Sequence, residues 1–233
     1  MAFQPPILAF LRPWLLATIA AFAAAPRLCP EAEPGSGAYA LLAYAVAAWS
    51  SGYLLYPAQG LAPLPAVMGW SLAAALGAVA YGWALAPPVP VQSLLLLGCA
   101  LAVALASLLL VRRALARALP ETSARAVAAL LAAICAAAPV WLGPWVERAD
   151  GAAWWVDPAL GISPLTYFAV ALDCDYLRES WFYEHTPFGA YRYAYPGFMA
   201  LTLAYACLGA AAWGIARGRS PRLSGTEFQT ASP

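Results

Sequence analysis

The sequence predicts an all-α polytopic membrane protein of six transmembrane helices. Both termini are cytoplasmic, and an external, aromatic-rich interfacial helix lies between helices five and six. Three observations predict this. Apolar residues make up 64% of the 233-residue chain and charged residues 10%, against about 45–50% and about 25% in soluble proteins. A water-soluble fold of this length cannot hide that much apolar surface. Six stretches, near 7–25, 38–56, 64–86, 91–111, 126–146 and 197–216, are long and apolar enough to cross about 30 Å of hydrocarbon as helices. Finally, the charges between these stretches sort by loop.

The breaks between spans carry turn and interface chemistry. Arg12-Pro13 interrupts the first span near its start. Pro26-Arg27 to Gly37 separates spans one and two, Pro57 to Pro63 spans two and three, and Pro87-Pro88-Val89-Pro90 spans three and four. Ala23-Ala24-Ala25 resembles a signal-peptidase site, but the n-region before it lacks positive charge, so no removed leader is expected. Arg27-Leu28 precede Cys29 where a lipobox needs a small residue, so no lipoprotein anchor is expected either. The 112–125 segment has Arg112, Arg113, Arg117 and Arg125 against Glu121, leaving +3. The tail after 216 is +2, the 26–37 loop −1 and the 147–196 loop −4. The positive-inside rule puts 112–125 and both termini in the cytoplasm, and 26–37 and 147–196 outside. The chain thus reads as one transmembrane domain, 1–217, followed by a cytoplasmic tail, 218–233. The expected location is a bacterial inner (plasma) membrane.

Composition also excludes functions. All twelve basic residues are Arg and there is no Lys, so there is no P-loop Lys for ATP phosphates and no Schiff-base Lys. His185 is the one His, which excludes a bis-His haem or a His-rich metal centre within the chain. A net charge of +1 gives no case for nucleic acid. Apart from Arg12, near a span end, the spans hold no ionisable group at membrane depth of the kind proton-coupled transport requires. Their many Ala and Gly residues, as in Gly209-Ala210-Ala211-Ala212, suit close helix packing within the bundle or against a partner.

The 147–196 loop is too long for a simple connector. Ser163-Pro164 reads as an N-cap followed by Pro at N1. Leu165, Phe168, Ala169, Leu172, Tyr176, Ser180 and Tyr183 then recur at helical spacing. A helix near 164–184 is expected, lying along or dipping into the outer leaflet. Pro164, Tyr167, Phe168, Tyr176 and Trp181 form either an aromatic belt that anchors the protein or a lid and docking surface. Asp173-Cys174-Asp175 and His185 suggest a metal or a nucleophile. Yet two Asp two positions apart diverge by about 200° on a helix, and neighbouring carboxylates raise a thiol's pKa. No metal, cofactor or catalytic residue is expected. Cys29 and Cys174, both external by this topology, are candidates for a disulfide.

The run Ile162-Ser163-Pro164-Leu165-Thr166-Tyr167-Phe168-Ala169-Val170-Ala171-Leu172 follows a Pro-interrupted end of span five, Ala138-Pro139-Val140-Trp141. Over about 126–217 this layout resembles the ABC-2 family of exporter permeases. The resemblance implies a membrane-spanning permease subunit that works with a separate P-loop ATPase. Arg112, Arg113 and Arg117 are then the candidates for docking that partner, through bidentate bonds to its carboxylates. Orientation and contact with anionic lipid is the other role open to them. The chain departs from the family in entering its first span almost at once and in its short, uncharged link at 57–63. A non-catalytic subunit of a large respiratory or photosynthetic membrane complex is the alternative. A membrane enzyme with its site on the outer loop ranks third.

Overall fold

Prolines set the boundaries of the apolar runs, because Pro lacks an N–H and keeps the residue before it out of the helical region. The computed structural model describes residues 36–54, 56, 65, 67–69, 71–72, 76, 79–80, 89–149, 153–178, 186 and 193–218. Its regular elements among these residues are all helical. They are α1 (Ser36–Leu54), α2 (Val91–Leu115), α3 (Glu121–Ala136), α4 (Ala138–Trp141), α5 (Gly143–Arg148), α6 (Ala153–Gly161), α7 (Pro164–Leu172), a 3-10 turn (Tyr176–Arg178) and α8 (Phe198–Gly218). The stretches expected near 38–56, 91–111 and 197–216 correspond to α1, α2 and α8. Of these, α2 and α8 are long and apolar enough to cross a membrane. The stretch near 7–25 lies outside the described residues, and only scattered helical positions of 64–86 are described.

α1, α2 and α8 run in the same direction. At one end Tyr53 Oη donates to Arg125 O (2.7 Å) and Arg112 to Tyr56 O (3.4 Å). Half-way along, Ser107 Oγ donates to Tyr205 O (2.6 Å), and lower down the Arg113 guanidinium lies 4.7 Å from the Trp213 ring centre. α3 returns from the Arg112 end. The seam between α2 and α8 is tight because Gly209 faces Ser107: a Cβ at 209 would stand 3.3 Å from Ser107 Cα. α8 is apolar on both faces, with the small residues inward. Gly209, Ala212 and Ala216 are buried along with Leu201, while Met199 and Leu203 are 67% and 61% exposed. Helices that meet in an apolar solvent use this arrangement, since small residues allow close backbone approach. Hydroxyls on these helices bond back one turn, as Ser50 does to Val46 O (2.8 Å) and Thr202 to Phe198 O (2.8 Å).

The span expected over 126–146, with its Pro-interrupted end, is three pieces, α3, α4 and α5. Pro139 and Pro144 each sit in the first turn of a short new helix, where a missing N–H costs nothing. The external helix expected near 164–184 ends at Leu172, because Asp173 adopts a left-handed conformation (φ 53°, ψ 43°). Cys174 N then closes back onto Ala169 O at 3.0 Å, a helix-ending turn. Nor does this helix lie along a surface. Tyr167, Phe168, Ala169, Ala171 and Leu172 are all buried, between α2, α1 and α8. Together α6 and α7 form a hairpin whose turn reaches the middle of the bundle. Ile162 O accepts from Tyr205 Oη (3.1 Å), Phe168 meets Trp49, and Asp175 O returns to Tyr39 Oη (3.2 Å) near the start of α1.

The left-handed residue gives a direct test. An L-residue there costs about 1–2 kcal/mol and Gly does not. Asp173→Gly should keep or raise the thermal midpoint in detergent, and Asp173→Val should lower stability by about 1–2 kcal/mol.

Candidate functional site

Breaking a helix inside an apolar bundle frees backbone carbonyls that must find new donors. At the end of α3, Ser163 Oγ donates to Ala136 O (3.1 Å) and Trp141 Nε1 to Ile134 O (2.8 Å). Ser163 is also the residue preceding α7, whose first position is Pro164. Two broken helix ends therefore meet at the turn, and the residue before α7 satisfies a carbonyl freed at the end of α3. Beneath this turn lies a cavity of about 360 Å3, bounded by α2, α3, α8 and Trp49 of α1. Its polar lining atoms on α2 and α8 are engaged: Ser107 Oγ with Val103 O (2.8 Å) and Tyr205 O, and Tyr205 Oη with Ile162 O.

At the far end of α7 a carboxylate gathers three side chains. Asp175 Oδ1 accepts from Tyr193 Oη (2.8 Å) and Tyr195 Oη (2.7 Å), and Oδ2 pairs with Arg178 Nε at 3.0 Å. Burial, then the bond to Asp175, pushes the Tyr193 phenol up to about 12 and raises Tyr195 as well. A phenol favoured in its neutral form contributes stability that is complete below about pH 10 and lost as pH rises through 12. Deprotonation of these phenols therefore loosens this end in strong alkali. Cys174 is buried beside it, and burial followed by Asp175 and Asp173 pushes its thiol up to about 12. Such a thiol is a poor nucleophile.

The opposite end of the bundle holds Arg112. It is 4% exposed, bonds to Glu121 through Nε (2.8 Å) and Nη2, and lies over the Tyr53 and Tyr56 rings at 5.9 and 5.6 Å. It ties α1, α2 and the start of α3 together.

The expected site residues thus fall into different places. Arg112 is corrected from a docking residue to an interior tie: the turn at 116–120 brings Glu121 back to it. Arg113 is half-buried against Trp213, which also meets Arg217 (5.6 Å), and Arg117 is exposed. Pro164 lines the cavity. Tyr167 is stacked on Tyr205 (5.2 Å) and bonded to Thr202 (2.7 Å). Phe168 packs edge-on against Trp49, and Tyr176 bonds to Thr166 (2.8 Å). These aromatics are core residues, not a surface belt or lid, because each polar tip finds an interior partner. Trp181 and His185 lie outside the described residues. Cys174 carries a free thiol, so the disulfide expected there is not formed; Cys29 lies outside the described residues. Among the described residues no three His, Cys, Asp or Glu converge as metal ligands. Sequence reasoning missed Trp49, Ser107 and Tyr205, and took up Asp175 as a metal or nucleophile candidate and not as the carboxylate that holds Tyr193 and Tyr195. The one signal available was Ser163-Pro164, which marked a helix start without giving its depth. Comparison with protein-family models, curated proteins and solved structures finds no match.

Two substitutions check this assignment. Ser163→Ala leaves the Ala136 carbonyl without its donor and should cost about 1–3 kcal/mol. Arg112→Ala should destabilise by about 2–3 kcal/mol, below the figure for a fully buried pair because Glu121 is partly exposed. Arg117→Ala should stay within about 0.5 kcal/mol. Unfolding in a denaturing detergent measures all three.

Proposed function

We propose that this chain is the membrane-spanning permease subunit of an ABC-2-like exporter, working with a separate P-loop ATPase in a bacterial plasma membrane. The observation that carries the reading is the α6–α7 hairpin, which turns in the middle of the bundle beside a cavity. Irregular backbone within a bilayer persists only where it is buried in protein or lines a cavity. Interrupted helices at that depth are where transporters build their substrate paths.

Two further features support it. The outward Met199, Leu203, Leu208 and Ile215 of α8, and Leu130 and Ile134 of α3, are exposed. In water they would form a large unfavourable patch, and in hydrocarbon they are at home. α1, α2 and α8 run parallel, as spans two, four and six of a six-span chain with both ends on one side must. Arg112 and Arg113 in the last turn of α2, with Arg217 at the end of α8, then mark the cytoplasmic end of the bundle.

The chain has no Lys, so nucleotide phosphates cannot be held by a P-loop here. Purification in mild detergent should bring down a P-loop ATPase, identified by mass spectrometry. Arg117→Glu, at the exposed position, should lower recovery of that ATPase severalfold while leaving the protein inserted. Recovery of intramembrane partners without any ATPase would replace the exporter with the complex-subunit reading.

A further inference from the structure

Arg112, Arg113, Arg117, Arg125 and Arg217 collect where α1, α2 and α8 end and α3 begins. Among the described residues Glu121 is the one carboxylate at this end, and Arg112 holds it. Side-chain charge here is therefore strongly positive, a surface that attracts anions. Two of these arginines, from different helices, meet on one ring. Arg113 of α2 lies 4.7 Å from the Trp213 ring centre and Arg217 of α8 lies 5.6 Å from it. Their guanidinium carbons are thus within about 10 Å of each other, roughly one Debye length. The indole face attracts each cation, but the two cations repel one another. An anion beside both turns that repulsion into attraction.

The donors set the anion's chemistry. A guanidinium offers five N–H donors in a planar fork that fits phosphate oxygens two at a time. Arg217 is exposed, so a small swing lets one phosphodiester accept from it and from Arg113. The surroundings favour a lipid's phosphate over a soluble one. Trp213 is half-buried near the end of an apolar helix, and indoles with one apolar and one wet side belong at headgroup level. Ala210 and Ala206 precede it by one and two turns on the same helix face and are exposed. An acyl chain can lie against these small side chains while its headgroup meets the arginines.

We propose that Arg113, Trp213 and Arg217 form a site for the headgroup phosphate of an anionic phospholipid, whose acyl chain lies along α8. The site rests on the membrane-spanning part of the proposed function and requires no ATPase partner.

The full chain in a nonionic detergent is titrated with dioleoylphosphatidylglycerol or dioleoylphosphatidylcholine, and lipid adducts are quantified by native mass spectrometry. The anionic lipid should bind about thirtyfold more tightly, the factor two surface arginines supply. Arg217→Gln should cut that preference about fivefold, and the double variant Arg113→Gln, Arg217→Gln should remove it. Arg125→Gln makes the same charge change on the α1 side, where Tyr53 bonds the Arg125 carbonyl. It should leave the preference within about twofold. A loss from Arg125→Gln equal to that from Arg217→Gln would mean diffuse attraction to the whole end, and would overturn the proposal. So would the absence of any preference in the parent chain. Displacement of the lipid by millimolar glycerol 3-phosphate, which carries the phosphate without the chains, would overturn it too. Alkaline carbonate extraction of native membranes tests the spanning reading separately. A chain that stays with the membrane yet shows no preference for phosphatidylglycerol overturns the site alone, whereas release by carbonate overturns both.

Discussion

The Ser163 hydroxyl on the Ala136 carbonyl is the contact on which the rest of the arrangement depends. An unbroken helix would give that carbonyl to the N–H of residue 140, but Val140 N turns to Ala137 O instead. Away from water, the freed group must be captured by a side chain. Ser163 does so from the start of α7, where Pro164 has no N–H that would need an acceptor. With that carbonyl satisfied, the α6–α7 turn can sit deep among apolar helices. Tyr205 secures its other side by donating to Ile162 O. The cavity, the burial of Tyr167 and Phe168, and the return of Asp175 toward α1 follow from where this turn is held.

The second constraint is the seam between α2 and α8. Gly209 lets the two backbones approach until Ser107 Oγ reaches the Tyr205 carbonyl. That contact fixes the height of Tyr205, and so the height of the turn it supports. Met199, Leu203, Leu208 and Ile215 of α8 are turned outward, an apolar face suited to a hydrocarbon surrounding. The Arg112–Glu121 tie and the Asp175 cluster then close the bundle at its two ends, joining different elements with different chemistry.

Much of the helix layout was legible in the sequence. Apolar runs bounded by Pro gave α1, α2 and α8, and Arg112 and Arg113 marked the end of α2. What was not legible shares one cause: the same residue type serves two environments. Aromatics with polar tips read equally as an interface belt or as core residues with interior partners, and Tyr167 and Tyr176 are the latter. A cluster of Arg reads as a cytoplasmic margin, yet Arg112 turns inward because the 116–120 turn returns Glu121 to it. The helix pattern from Leu165 through Tyr183 continued past Asp173, because periodicity is blind to a left-handed residue. Alanines that read as close packing instead leave a cavity, since the shortage appears only when three helices bring them together.

The proposed membrane-spanning permease places Ile162 at mid-depth in the bilayer, beside the middle of α8. A nitroxide placed by Ile162→Cys, in a background with the native cysteines replaced by Ala, measures this through its collision rates with oxygen and with a water-soluble nickel chelate. The account predicts high oxygen and low nickel access, matching a label at Leu208, with a label at Arg117 showing the reverse. Nickel access at 162 as high as at 117 would contradict it.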